Sequence, residues 1–157
     1  MHTLEPIIRQ HPFFKGLPQH AIDLIVGCAG NIVFQPDHRV YREGEPANRF
    51  YVIREGCIAL ELYVPGRGPI VIETLGAGDV LGWSWLIPPY RLRYSARAVE
   101  LTRAIGLDAT CIRNKCEADH DLGYELLKRV AGVIVERLQA SRLQLADVYG
   151  PTPSGGE

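Results

Sequence analysis

Signatures of metal and thiol chemistry are missing from this 157-residue chain. Cys28, Cys57, Cys111 and Cys116 form no Cys-x-x-Cys pair, which excludes a zinc ribbon and a thioredoxin-type motif. Cys111 and Cys116, five apart near a helix start, read as two ordinary reduced thiols. Five histidines, His2, His11, His20, His38 and His120, contain no His-x-His, and only His38 lies near a strand-like run. A metal on β-strand histidines therefore has no ligand set, and no metal is expected. A Gly-x-Ser-x-Gly elbow and a P-loop are absent as well, and Asp79 with its neighbours reads as a turn. These absences leave a non-enzymatic chain as the expectation.

Charge of one sign is also lacking, since 17 Lys and Arg face 18 Asp and Glu for a formal net charge of −1. Such a chain has no global field to hold a phosphate backbone, so any basic function must be local. Apolar runs are only a few residues long, and the opening "MHTLEPIIRQ" has no basic stretch followed by an apolar one. A soluble, cytoplasmic protein without membrane contact is expected. With 46% hydrophobic residues over 157 positions, one core and one domain are the expectation.

What is present begins with a helical lead-in, residues 1–30. "LEPIIRQHPFF" and "PQHAIDLIVGCAG" space apolar residues as helices do, with Pro18 opening the second and Gly27 or Gly30 ending it. From 31 to 110 the rhythm is of short β-type runs parted by turn residues: "NIVFQ", "RVYRE", "RFYVIRE", "CIALELYV", "PIVIETL", "RLRYSARAVE" and "TRAIGL". This predicts a mainly β protein with flanking helices, an antiparallel β-roll of the double-stranded jelly-roll type. The Pro-Gly-x-Gly-Pro of "YVPGRGPIV" is the tip of a hairpin, and Glu43-Gly44 and Glu55-Gly56 mark further turns.

Residues 111–149 form a C-terminal helical segment, dominated by one long helix from 122 to 149 with Gly150-Pro151 as its stop. Leu127, Ala131, Ile134, Leu138, Ser141, Leu145 and Val148 alternate by four and three, the seam of a coiled coil, while Leu126, Val130 and Val133 offer a second line to the β-roll. A homodimer through this helix follows. Arg137 and Arg142 flank the seam and read as solvated charges. The tail 150–157 is too polar and too rich in Gly and Pro to order itself.

"YREGEPANRFYVIREGCIAL" followed by "LGAGDVLG", set between a helical lead-in and a long helix, resembles the cyclic nucleotide-binding domain of the catabolite activator and fumarate-nitrate regulator superfamily. The glycines carry the resemblance: Gly44, Gly56 after "FYVI", then Gly78 and Gly82. It implies a phosphate-binding cassette after Gly82, in which a short helix, a carboxylate, an arginine and a Ser or Thr hold cyclic AMP, cyclic GMP or another small anion. "GWSWL" would be that helix, stopped by Pro88-Pro89. Trp83 stands where nucleotide binders carry glutamate, and an indole cannot accept the ribose hydroxyl's proton. Losing a charged acceptor costs about 1.5–3 kcal/mol, or about ten- to a hundredfold in affinity.

The arginine has two registers. Family spacing from Gly82 lands on Arg93, whereas aligning "YSA" puts Tyr94 in the arginine's place and leaves Ser95 as the phosphate hydroxyl. Alternation along the run groups Arg91, Arg93, Ser95 and Arg97 on one face and Leu92, Tyr94, Ala96 and Ala98 on the other. Gly82, Trp83, Ser84, Trp85, Arg93, Tyr94 and Ser95 are therefore the candidate ligand-binding residues. Two tryptophans two apart on one turn cannot both face inward, so at least one is exposed or lines a cavity. The module would act on an unidentified regulated protein, through an altered ligand or through protein contact. With eight residues after Tyr149, direct DNA binding is not expected.

Overall fold

The computed structural model describes residues 4–149. Two helices, α1 (Leu4–Gln10) and α2 (Gln19–Val26), lead into eight strands: β1 (Ala29–Phe34), β2 (Arg39–Tyr41), β3 (Arg49–Glu55), β4 (Ile58–Val64), β5 (Gly68–Leu75), β6 (Val80–Leu81), β7 (Ser95–Ala98) and β8 (Thr102–Asp108). A four-residue 3₁₀ turn, Trp83–Leu86, interrupts the strands between β6 and β7, and α3 (Ala109–Ala118) and α4 (His120–Tyr149) follow. The predicted β-roll is present as two antiparallel four-stranded sheets, ordered β1-β8-β3-β6 and β2-β7-β4-β5. No helix among the described residues is long and apolar enough to cross a membrane.

The core lies between the sheets and under the helices. β3 is flanked by β8 and β6 and buries Phe50, Tyr51, Val52 and Ile53 in succession, as a strand covered on both faces does. β8 is likewise buried in its middle, at Ala104, Ile105 and Leu107, and exposes only Arg103 and Asp108. Glycine closes the turn into β4 for a steric reason. Gly56 has φ +111°, and a Cβ there would sit 2.6 Å from Thr102 Cα and 2.7 Å from Leu101 O. Asp108 caps α3 by accepting from the Cys111 amide at 2.8 Å, satisfying a donor at the helix start. α4 is seated by Leu122, Leu126 and Val130, one residue per turn and all buried.

Several expectations need correction. α1 ends at Gln10, and residues 11–16 form turns, with the His11 ring accepting from the Phe13 amide at 3.1 Å. The run from Arg91 is a strand only from Ser95. Before that, residues 90–92 pair with the loop 44–47 through Ala47 N–H to Tyr90 O (2.7 Å), Gly44 N–H to Leu92 O (2.7 Å) and Leu92 N–H to Glu45 O (2.9 Å). Cys111 is not a reduced thiol: it is joined to Cys28 in a disulfide with Cα atoms 5.8 Å apart, leaving Cys57 and Cys116 free. The tail 150–157 and the side chain of Val148 lie outside the described residues.

Candidate functional site

The turn after β6 is built on Gly82. Its φ is +84°, and a Cβ would come within 3.2 Å of Arg49 O and 3.5 Å of Phe50 Cα, so a side chain is disfavoured by conformation and by space. The chain then folds through Trp83–Leu86, with Ser84 buried and Trp83 half-buried against the core. Trp85 is fully buried and stacks on Phe50, ring centroids 4.5 Å apart and planes 8° from parallel. Its Nε1–H reaches no acceptor among the described residues. Trp85 is a core side chain, and Trp83, half-buried, packs against the core as well.

Arg93 and Tyr94 part in opposite directions. Arg93 is exposed and makes no ion pair or hydrogen bond among the described residues, whereas Tyr94 is half-buried and packs on the core. Next to Tyr94 lies Tyr41, whose hydroxyl is pushed up by burial, with Arg137 opposing and Tyr51 and Tyr94 reinforcing the shift. The Ser95 hydroxyl already accepts from the Glu43 amide at 2.9 Å. Arg91 donates to Gly44 O at 3.3 Å. Arg97 serves the outer side of its sheet, 3.1 Å from both the buried Glu61 and the exposed Asp37, with Arg39 3.8 Å from Glu61.

Two residues outside the candidate set organise this region. Arg113 of α3 donates to Trp85 O at 2.6 Å, and its guanidinium carbon lies 4.4 Å from the centre of the Tyr90 ring. Nothing in the sequence marks it, since a lone arginine on a helix reads as a surface charge. Arg137 of α4, read from the sequence as solvated, is only 12% exposed; it donates to Val80 O and lies 3.7 Å from Glu73. Around it, between α4, β5 and the turn before β6, is a cavity of about 250 Å³ lined by Glu73, Leu75, Asp79, Val80, Arg129 and Arg137 among others. None of the seven candidate residues lines that cavity. No group of three or more His, Cys, Asp or Glu among the described residues is placed to hold a metal ion.

Residues 31–119, more than half of the chain, match the family model of the cyclic nucleotide-binding domain. The chain belongs to this family. It is similar to the CRP-like cAMP-activated global transcriptional regulator of Mycobacterium tuberculosis, 24% identical over 145 residues, covering 92% of this chain and 63% of that protein. Similarity to cyclic nucleotide-gated ion channel 18 of Arabidopsis thaliana is 28% over 152 residues, covering 94% of this chain and 20% of the channel. The crystal structure of a cyclic nucleotide-binding domain from Methylobacillus flagellatus superposes with a TM-score of 0.82 at 17% identity, over 96% of this chain and 87% of the other. The chain spans 63% of the length of the first of these relatives.

Proposed function

We propose that this cyclic nucleotide-binding domain is a non-enzymatic regulatory module that does not clamp a cyclic nucleotide in the family manner and that signals through α4. The orientation at positions 93 and 94 carries this reading. The inward side chain beside Tyr41 is Tyr94, a neutral phenol, while the guanidinium of Arg93 faces solvent. A phenol offers a cyclic phosphate one hydrogen bond and no charge, where arginine offers a charged fork. Trp83 supplies no acceptor for a ribose hydroxyl, and the Ser95 hydroxyl is engaged by Glu43. The residues present therefore do not fit a cyclic nucleotide, and no step of the proposed function passes through one. The competing reading, a small anion held at Arg93, is supported by that guanidinium standing unpaired among the described residues beside the cassette.

The output side is α4. Its 30 residues extend about 45 Å; the apolar residues buried on the roll, Leu122, Leu126 and Val130, lie in its first half, and beyond them the polar side chains of Arg137 and Gln144 reach it. Leu127, Leu138 and Leu145, which share one face of the helix, are 47–56% exposed, an unpartnered apolar line that fits a second copy of the same helix better than water. We read the chain as a homodimer through 122–149, with the regulated protein responding to how the two helices pair.

Isothermal titration with cyclic AMP and cyclic GMP tests the first half of the proposal, on wild type and on Arg93→Ala. No heat is expected from either nucleotide. Binding tighter than about 100 μM that vanishes in Arg93→Ala overturns it and places Arg93 on the phosphate. Sedimentation velocity tests the second half: wild type is expected as a dimer and Leu138→Glu as a monomer. A monomeric wild type at tens of micromolar refutes the helix pairing.

A further inference from the structure

α3 is ten residues long, yet it is tied to nearly every element of the regulatory region. Its first turn carries Cys111, bonded to Cys28 at the junction of α2 and β1. Arg113, two residues on, holds the Trp85 carbonyl and covers Tyr90. Lys115 donates to Leu24 O of α2 at 3.0 Å. One residue beyond the helix, Asp119 accepts from the Leu122 amide at 3.2 Å and sits 2.7 Å from His20 Nε2, binding the base of α4 to α2. The disulfide is the one covalent tie in this set.

From this arrangement we infer that Cys28–Cys111 is a thiol-exchangeable strap whose redox state sets how firmly α3 grips the cassette turn at one end and the base of α4 at the other. The inference rests on the regulatory reading only for what those two ends mean. Cys111 is part-exposed, and Cys28 borders an open cleft lined by Asn31, Arg49, Gly106 and Asp108, so a small thiol can reach the bond. The reductant is a low-molecular-weight thiol. Its sulfur attacks Sγ of Cys111, the bond to Cys28 breaks, and Cys28 leaves and takes up the proton. A second thiol then attacks the mixed disulfide, freeing Cys111 as a thiol and releasing the disulfide of the two small thiols. Two electrons pass from the small thiols to the protein bond, and the reverse sequence with that small disulfide restores the strap.

The other cysteines do not divert this exchange. Cys116 lies on α3 but is buried, and its thiol is pushed up to about 11 by that burial and then by Glu117 and Asp119, so it is scarcely ionised at neutral pH. Cys57 is at the β3–β4 turn, away from α3 in the sequence and on another element. When the strap opens, Lys115 and Arg113 still tether α3, so the fold survives while the first turn of α3 frays. Arg113, two residues from Cys111 on the same helix, is the residue through which that fraying reaches Trp85.

Alkylation under denaturing conditions followed by intact mass tests the bond: two modified cysteines are expected after equilibration with oxidised glutathione, four after reduction. Hydrogen exchange of wild type in the two states tests the coupling, with residues 83–90 and 109–118 both expected to exchange about tenfold faster when reduced. The double variant Cys28→Ser, Cys111→Ser is expected to show the fast pattern with or without reductant. Four modified cysteines in the oxidised sample overturn the strap. Faster exchange confined to 109–118, with 83–90 unmoved, overturns its connection to the cassette. Neither result depends on nucleotide titration, so this inference and the proposed function fail separately.

Discussion

Replacing Trp85 separates the volume it fills from the polar atom it buries. The side chain has no solvent exposure, stacks face to face on Phe50 and presents an Nε1–H with no acceptor among the described residues. Trp85→Ala removes the ring and leaves a cavity, a loss of about 3–5 kcal/mol for a large buried aromatic. Trp85→Phe keeps a ring against Phe50 and removes the buried donor. It gives up on the order of 50 Å² of buried area, about 1.3 kcal/mol at about 25 cal/mol per Å². Against that, an unsatisfied buried N–H costs about 1–3 kcal/mol, so the two contributions nearly cancel. Urea denaturation of the three proteins at one pH is the assay, with equal m-values as the condition for comparing midpoints. Trp85→Phe is expected within about 1 kcal/mol of wild type. A loss above about 3 kcal/mol refutes the reasoning, because it means Nε1–H is satisfied in solution.

Gly56→Ala is expected to lose more than about 3 kcal/mol, because its Cβ would strike the backbone of Thr102 and Leu101, whereas Gly44→Ala, with φ +90° and open space, loses about 1–2 kcal/mol; thermal melts compare them. His11 gives an acid-side signature. Its Nδ1 accepts from Phe13 N–H and its Nε2–H donates to Ile53 O at 3.0 Å, and burial holds its pKa below the usual 6.5. Because the folded pKa is the lower one, this stability is complete above pH 6.5 and is lost as pH falls toward the folded value. Urea midpoints are expected to decline from pH 6.5 downward in wild type and to stay flatter in His11→Asn; parallel curves would refute the assignment. Glu61→Ala, which strips Arg97 of a 94%-buried carboxylate, is expected to cost about 2 kcal/mol by denaturant titration, and Asp37→Ala on the exposed side of the same arginine less than about 0.5 kcal/mol.

The glycine turns and the period-two runs were readable because each records a local constraint. Gly44, Gly56 and Gly82 all adopt φ between +84° and +111°, conformations that other residues avoid. Residues 91–94 misled for the same local reason. Leu92 is buried and Arg91 and Arg93 are exposed, so the run alternates as a strand does, although its partner is a loop and Arg93-Tyr94 bend away from any ladder. Long-range proximity had no such record. Cys28 and Cys111 are 83 residues apart and meet because β1 pairs with β8, placing Ala29 opposite Leu107. Arg113 and Arg137 carry the charge and spacing of surface residues, and only the packing of α3 and α4 turns them toward the carbonyls of Trp85 and Val80.

β5 is the end strand of its sheet, and it carries Ile70, Val71 and Ile72 in a row. Such an edge is a template for another chain's strand. Far along α4, Gln144 donates to the Ile72 carbonyl at 3.3 Å, occupying a position that an incoming strand would need. If the chain pairs through α4 as proposed, the long helix limits that association to something finite. A helix pairs face to face and stops, whereas an open apolar edge adds strand after strand. A chain shortened before Gln144 would lose this cover on β5, and its failure in the test tube is expected to be precipitation well before any loss of fold.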